Sequence, residues 1–256
     1  MANCIILAAG EGTRLRPYTT SWPKCLMPIH GKPLMEYWLS DLFELNLNKI
    51  FVNVSYLRET VTEYLSRERF LGKVEVLEEK ALLGTAGTIL SIKDQLRDSP
   101  TLVIHADNWC GMRIGELVEK HDNFRPSECK ITMMTFDSEN PQSCGVVELD
   151  EAGVVRGFYE KVASPPTSIA NAAVYVLEPE VINWMGARQV SDLSNDVLPN
   201  FVGKIFCVHN HSFHRDIGSI ESLRKANLGP KKQIIWDTDD DWLNDFKSNP
   251  IHEAIK

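Results

Sequence analysis

The residues that could do chemistry come early in the chain, in the run Leu7-Ala8-Ala9-Gly10-Glu11-Gly12-Thr13-Arg14-Leu15-Arg16-Pro17 with Pro23-Lys24 close behind. A strand ending in small residues and glycines lets backbone N–H groups approach phosphate oxygens that a Cβ would hold away. Between Glu11 and Met35 the only acidic residue is Glu11, whereas Arg14, Arg16, Lys24 and Lys32 all fall there. Arg14 offers a planar donor fork suited to terminal phosphates, and Lys24 a compact charge suited to a phosphorus under attack. A cationic loop in an otherwise acidic chain points to a small polyanion as ligand. Gly-x-Gly after a strand also reads as a tight turn with no ligand. Two other phosphate loops are excluded: a dinucleotide fingerprint needs a third glycine where Leu15 stands, and no GxxxxGK[ST] occurs.

The elements that must hold this loop read as α/β. Cys4 to Ala8 is a short apolar run fit for a buried parallel strand, and Leu34 to Leu47 has apolar residues at helical spacing. The alternation continues with strand Ile50 to Val54, helix Leu57 to Leu65, strand Val74 to Leu77, helix Thr85 to Leu96 and strand Leu102 to Ala106. Repeated βαβ predicts a Rossmann-like, mixed but mainly parallel sheet flanked by helices. After Lys120 the pattern turns β-rich, with strands expected at Lys130 to Phe136, Val146 to Leu149, Val154 to Tyr159 and Ala172 to Leu177. Lys204 to Val208 reads as a further strand and Ser219 to Asn227 as a helix. Residues 231–256, with Asp237 and Asp239 to Asp241, read as an acidic tail or a loosely docked helix. The expected organisation is one domain over residues 1–230 followed by that tail.

Size and charge limit the partners. A net charge of −8 argues against nucleic acid and anionic membrane, which are themselves polyanionic. No apolar run approaches the ~20 residues that cross a bilayer. Asn3 to Ala9 is too short for a secretory signal, so the cytosol is the expected location. The cysteines at 4, 25, 110, 129, 144 and 207 never form CxxC and read as reduced structural thiols. His209, His211 and His214 form an HxHxxH cluster, but no cysteine or carboxylate stands at suitable spacing before Asp216.

Together with Pro28, the Ala8 to Pro17 run and Pro23-Lys24 resemble the signature of the sugar-1-phosphate nucleotidyltransferases, and within them the mannose-1-phosphate guanylyltransferase branch. Later segments match in order. Gly84-Thr85-Ala86-Gly87, preceded by Glu79, resembles the second nucleotide loop, Asp107 the metal-binding aspartate, and Glu160-Lys161 the sugar-phosphate pair. Asn171 and Asp216-Ile217-Gly218 complete the set, which covers about residues 3 to 228.

The resemblance implies the nucleotide-diphospho-sugar transferase fold with a β-rich sugar-binding half. It implies nucleotide binding by Leu7, Ala8, Ala9, Gly10, Gly12, Thr13, Arg14, Lys24, Glu79, Gly84, Thr85 and Asp107, and sugar-phosphate binding by Gly145, Glu160, Lys161 and Asn171. Arg14, Lys24, Asp107 and Asp216 would be catalytic, the two aspartates holding Mg²⁺. The implied substrates are a nucleoside triphosphate and a sugar 1-phosphate, GTP with mannose 1-phosphate or a manno-heptose 1-phosphate before uridylyl or thymidylyl transfer to glucose 1-phosphate. A glycosyltransferase would carry Asp-x-Asp, and position 109 is Trp109. A non-catalytic subunit of the same fold is the remaining alternative, and homo-oligomerisation is left open. Three positions depart from the family pattern: Ala106 and Ala173 where glycine is usual, and His214 where tryptophan is usual. These bear on substrate identity more than on reaction type.

Overall fold

The apolar run behind Ala2 forms β1 (Ala2–Leu7), with Cys4, Ile5 and Ile6 fully buried, as a strand covered on both faces requires. The computed structural model describes residues 2–236 and 239–255. The next strands are β2 (Pro28–Ile29), β3 (Lys32–Pro33), β4 (Leu47–Val54), β5 (Val74–Glu78), β6 (Thr101–His105) and β7 (Asn108–Cys110). Then come β8 (Ile131–Asp137), β9 (Gly145–Leu149), β10 (Val155–Glu160), β11 (Ile169–Leu177), β12 (Ile205–His209) and β13 (His214–Asp216). Helices Leu34–Phe43, Arg58–Leu65, Thr85–Ser91, Ile114–Phe124, Pro179–Gly186 and Ile220–Leu228 fall among them. The result is the expected mixed, mostly parallel sheet flanked by helices.

Where length suggests one domain, the chain divides into two compact units, each built from discontinuous segments. The first holds residues 2–5, 83–104 and 116–211. Its strand order is β10-β9-β11-β6-β1, with β8 between β11 and β12. β11 runs antiparallel to β6, β8 and β9, while β12 is parallel to β8. The register of β11 on β8 breaks between Asn171 and Tyr175, and there Ala173 takes a left-handed backbone, φ 54°. Such a bulge re-aims the side chains around it.

The second unit holds residues 6–82, 105–115 and 212–255. Here β4 and β5 pair in parallel, with Asn53 opposite Leu77. β2 and β3 form a small hairpin, and β7 pairs antiparallel with β13.

Several expected elements differ. The helix read to Leu47 ends at Phe43, because the Glu44 and Leu45 N–H groups turn back to Asp41 and Leu42 in a tightened last turn, and Leu47 already belongs to β4. Thr85 to Leu96 is two helices, interrupted at Ile92 with φ −122°. β7 and β13, three residues each, carry too little period-2 pattern to be read from sequence.

Residues 231–236 and 239–255 are no loose tail and are not set off at residue 230: they belong to the second unit. Helix Asp241–Lys247 buries Leu243 and Phe246, and Ile251 is buried from the last helix, Ile251–Ala254. The Lys232 ammonium lies 2.6 Å from Asp41, the Trp236 indole N–H donates to Glu36 at 2.7 Å, and Asp240 meets Arg69 at 2.8 Å. Lys232, Asp239 and Asp240 are thus paired with residues from far up the chain. Asp237 lies outside the described residues. Among the described residues no helix is long and apolar enough to cross a membrane.

Candidate active site

In the second unit each charged residue of interest stands next to, or one residue from, a buried apolar anchor. Leu15 follows Arg14, Leu26 follows Lys24 and Cys25, Trp109 follows Asp107 and Asn108, and Ile217 follows Asp216; all four anchors are buried. Leu15, Trp109 and Ile217 share one cluster with Met27 and Tyr37. Burying such side chains is worth roughly 1.5–3 kcal/mol each, which holds the adjacent polar groups at the rim of that core.

The two aspartates meet through backbone pairing. β13 lies against β7 with Asp216 opposite Asn108 and Arg215 opposite Trp109, and the Ile217 N–H donates to the Asp107 carbonyl at 3.0 Å. Asp107 occupies the turn between β6 and β7, so both carboxylates are carried by one small hydrogen-bonded ladder. Lys24 Nζ sits between them, 2.5 Å from Asp107 Oδ2 and 3.1 Å from Asp216 Oδ1, and Arg14 Nη2 is 3.4 Å from Asp216 Oδ2. The Lys24 side chain is 10% exposed, against 36% for Asp107 and 48% for Asp216. Burial works against the Lys24 charge, but the two carboxylates outweigh it and hold the ammonium above its usual value. Burial likewise opposes ionisation of Asp107, yet Lys24 and His105 draw its carboxyl below the usual range. Gly12 makes the Lys24 approach possible: it has φ 63°, and a Cβ there would lie 2.9 Å from Thr19 Cγ2 and 3.2 Å from Lys24 Cβ.

The rest of the first loop is tied to β4. The Ala8 N–H donates to Asn53 Oδ1 at 2.6 Å, and Asn53 Nδ2 donates to Glu79 Oε1 at 2.9 Å. Leu7, Ala9, Gly10 and Thr13 belong to the same unit as Glu79.

The remaining sequence candidates lie in the first unit. Gly84 has φ 79° and heads the helix Thr85–Ser91; a Cβ on it would come within 2.3 Å of the Ser191 carbonyl. That carbonyl accepts from the Ala86 N–H at 2.9 Å, and the Leu193 N–H donates to the Thr85 hydroxyl at 2.7 Å. The loop is therefore clamped by Ser191, Asp192 and Leu193, which the sequence reading missed.

A second group gathers where β9 pairs with β10, with Gly145 opposite Glu160. The Lys161 N–H donates to the Cys144 carbonyl, and the Lys161 ammonium, largely exposed, lies 3.1 Å from Glu160 Oε1. Asn171 has its amide engaged within its own strand: Oδ1 accepts from the Ala173 N–H at 2.9 Å, and Nδ2 donates to the Tyr175 hydroxyl at 2.7 Å. Of the three histidines, His209 and His211 belong to the first unit, with His209 facing Asp137 at 3.3 Å, and His214 to the second.

Magnesium takes oxygen ligands and commonly one or two carboxylates, with phosphates and water completing its shell. Asp107 and Asp216 already converge on a single positive atom and stay accessible to solvent, a donor set that fits such an ion. Among the described residues no group of three or more His, Cys, Asp or Glu is arranged to hold a metal alone.

The family model described as nucleotidyl transferase matches residues 3–233. A mannose-1-phosphate guanylyltransferase of Mycobacterium tuberculosis is 29% identical over 230 residues, covering 88% of this chain and 63% of the relative. A UTP–glucose-1-phosphate uridylyltransferase of Synechocystis is 32% identical over 244 residues, covering 89% and 63%. The chain thus spans less than two thirds of these relatives. The crystal structure of HddC from Yersinia pseudotuberculosis superposes with a TM-score of 0.73 at 24% identity, over 89% of this chain and 99% of that one, a likeness of fold. With the family model matching residues 3–233, the chain belongs to the nucleotidyl transferase family.

Proposed function

We propose that the protein is a sugar-1-phosphate nucleotidyltransferase that transfers the guanylyl group of GTP to mannose 1-phosphate or a manno-heptose 1-phosphate with release of pyrophosphate, for cell-surface polysaccharide synthesis. The observation that carries the reaction class is the gathering of Lys24, Arg14, Asp107 and Asp216 at one point of the second unit. In nucleotidyl transfer the barrier is mainly repulsion between anions, so cations and alignment matter more than covalent chemistry. An oxygen of the sugar phosphate attacks the α-phosphorus, the bond from that phosphorus to the bridging oxygen breaks, and pyrophosphate leaves with the electron pair. The sugar phosphate is already largely ionised at neutral pH, so no general base is needed. Lys24 and Arg14 would stabilise the charge passing to pyrophosphate. Asp107 and Asp216 would hold Mg²⁺, which neutralises phosphate charge when bound. Glu160 and Lys161 would take the sugar and its phosphate.

Mannose and guanine are favoured by the guanylyltransferase relative and by the Glu79 to Gly87 stretch. The Synechocystis relative supports a second reading, uridylyl transfer to glucose 1-phosphate. A panel of nucleoside triphosphates against sugar 1-phosphates, read by pyrophosphate release with and without magnesium, decides between them. GTP with a manno-configured phosphate is expected to be fastest and magnesium-dependent. Release from no pair would defeat the enzyme reading in favour of a non-catalytic subunit. Lys161→Ala is expected to raise the KM for the sugar phosphate about tenfold or more, as loss of a charged contact does, with the triphosphate KM little changed. If only the triphosphate KM moved, the roles given to the two residue groups would be reversed.

A further inference from the structure

Asn53 is a polar side chain in the otherwise apolar run Ile50 to Val54 of β4, and it is 4% exposed. A buried amide must be hydrogen-bonded, and both ends of this one reach residues of the nucleotide site. Its oxygen accepts from the Ala8 N–H at 2.6 Å, where the glycine loop leaves β1. Its NH2 donates at 2.9 Å to Oε1 of Glu79, itself 6% exposed, and the Glu79 N–H is anchored on the Val54 carbonyl at 2.9 Å. Backbone and side chain of Glu79 are thus both held from two consecutive residues of β4.

We infer that Asn53 is a positioning residue which couples base selection to the phosphate loop by holding the Glu79 carboxylate and the Ala8 amide with one side chain. The inference rests on the proposed guanylyl reading and takes Glu79, which the resemblance assigns to nucleotide binding, to face the nucleobase. A carboxylate only accepts hydrogen bonds. Guanine offers two neighbouring donors, N1–H and the 2-amino group, whereas uracil and thymine offer a single donor between two acceptors. A carboxylate whose rotation is set by Asn53 therefore favours guanine and meets uracil oxygens with repulsion. A base that engages Glu79 also bears, through the same amide, on the Ala8 end of the loop. Of the neutral side chains this size, an amide can donate and accept at opposite ends; leucine could do neither, and aspartate would set a second carboxylate against Glu79.

Two variants separate this role from a structural one. In Asn53→Ala, calorimetric titration should show the GTP-to-UTP affinity ratio falling about tenfold, as loss of one orienting hydrogen bond implies, and hydrogen exchange at the Ala8 amide should quicken. In the exchange pair Asn53→Asp with Glu79→Gln, the new carboxylate can accept from both Ala8 and the new amide. Ala8 protection should then return while the ratio stays low. An unchanged ratio or unchanged Ala8 exchange in Asn53→Ala overturns the inference. If the unaltered protein prefers UTP, the guanine reading fails, and the inference survives only if Asn53→Ala abolishes that preference instead. A protein that binds no nucleotide defeats both.

Discussion

Asp107→Asn should leave the fold intact and lower turnover by about two to four orders of magnitude, the scale on which loss of one main electrostatic element is felt. Asparagine keeps the size of the side chain and an oxygen for Lys24, so the ladder of β7 on β13 and the core beneath it need not move. What goes is one of the two negative charges that surround Lys24 Nζ at 2.5 and 3.1 Å, and with it half of the carboxylate set proposed for magnesium. Pyrophosphate release at saturating substrates gives the rate, and a thermal midpoint within a few degrees of the parent shows that folding is preserved. Activity within a factor of a few of the parent would remove Asp107 from the site.

The second large effect is expected on stability. Arg67→Met should cost about 3–5 kcal/mol, the price of leaving a buried charge without its partner. Glu36 is fully buried and accepts from Arg67 at 2.8 and 3.0 Å, from the Tyr64 hydroxyl at 2.6 Å and from the Trp236 indole at 2.7 Å. The Arg67 guanidinium also lies 4.5 Å from the centres of the Tyr64 and Phe70 rings. Methionine would keep some of that packing but no charge. Urea denaturation should show the loss as a lower midpoint, and a change below 1 kcal/mol would mean that water or Arg69 takes over. The docking of the C-terminal segment should be acid-sensitive. Hydrogen bonds from Lys32 and Lys247 hold Asp239 below the ordinary carboxylate range. Its contribution is therefore present above the unfolded value of about 3.9, and is lost as pH falls through the lower folded value.

Part of the candidate site is legible in the sequence. Gly10, Gly12, Arg14 and Lys24 are close in sequence, and the chemistry of a phosphate loop needs only backbone freedom and nearby cations. Asp107 could be placed because it follows an apolar strand. Asp216 could not be placed by its own residues: β13 is three residues long, and only its pairing with β7 sets it beside Asp107. Asn53 did leave a signal, a polar residue inside the apolar run Ile50 to Val54, but that shows only that partners must exist and not which ones. The acidic C-terminal segment was misread because composition counts charges and says nothing of their partners.

Local properties were determined by the sequence alone: which longer apolar stretches are strands, where the chain can turn tightly, where positive charge is concentrated. These depend on a few neighbouring residues and their side-chain period. Tertiary structure decided the convergences of Lys24 with two distant carboxylates, of Asn53 with Ala8 and Glu79, and of Lys232 with Asp41. Each joins groups whose hydrogen bonds and charges are satisfied only once the intervening chain has folded, and no spacing along the chain encodes that distance.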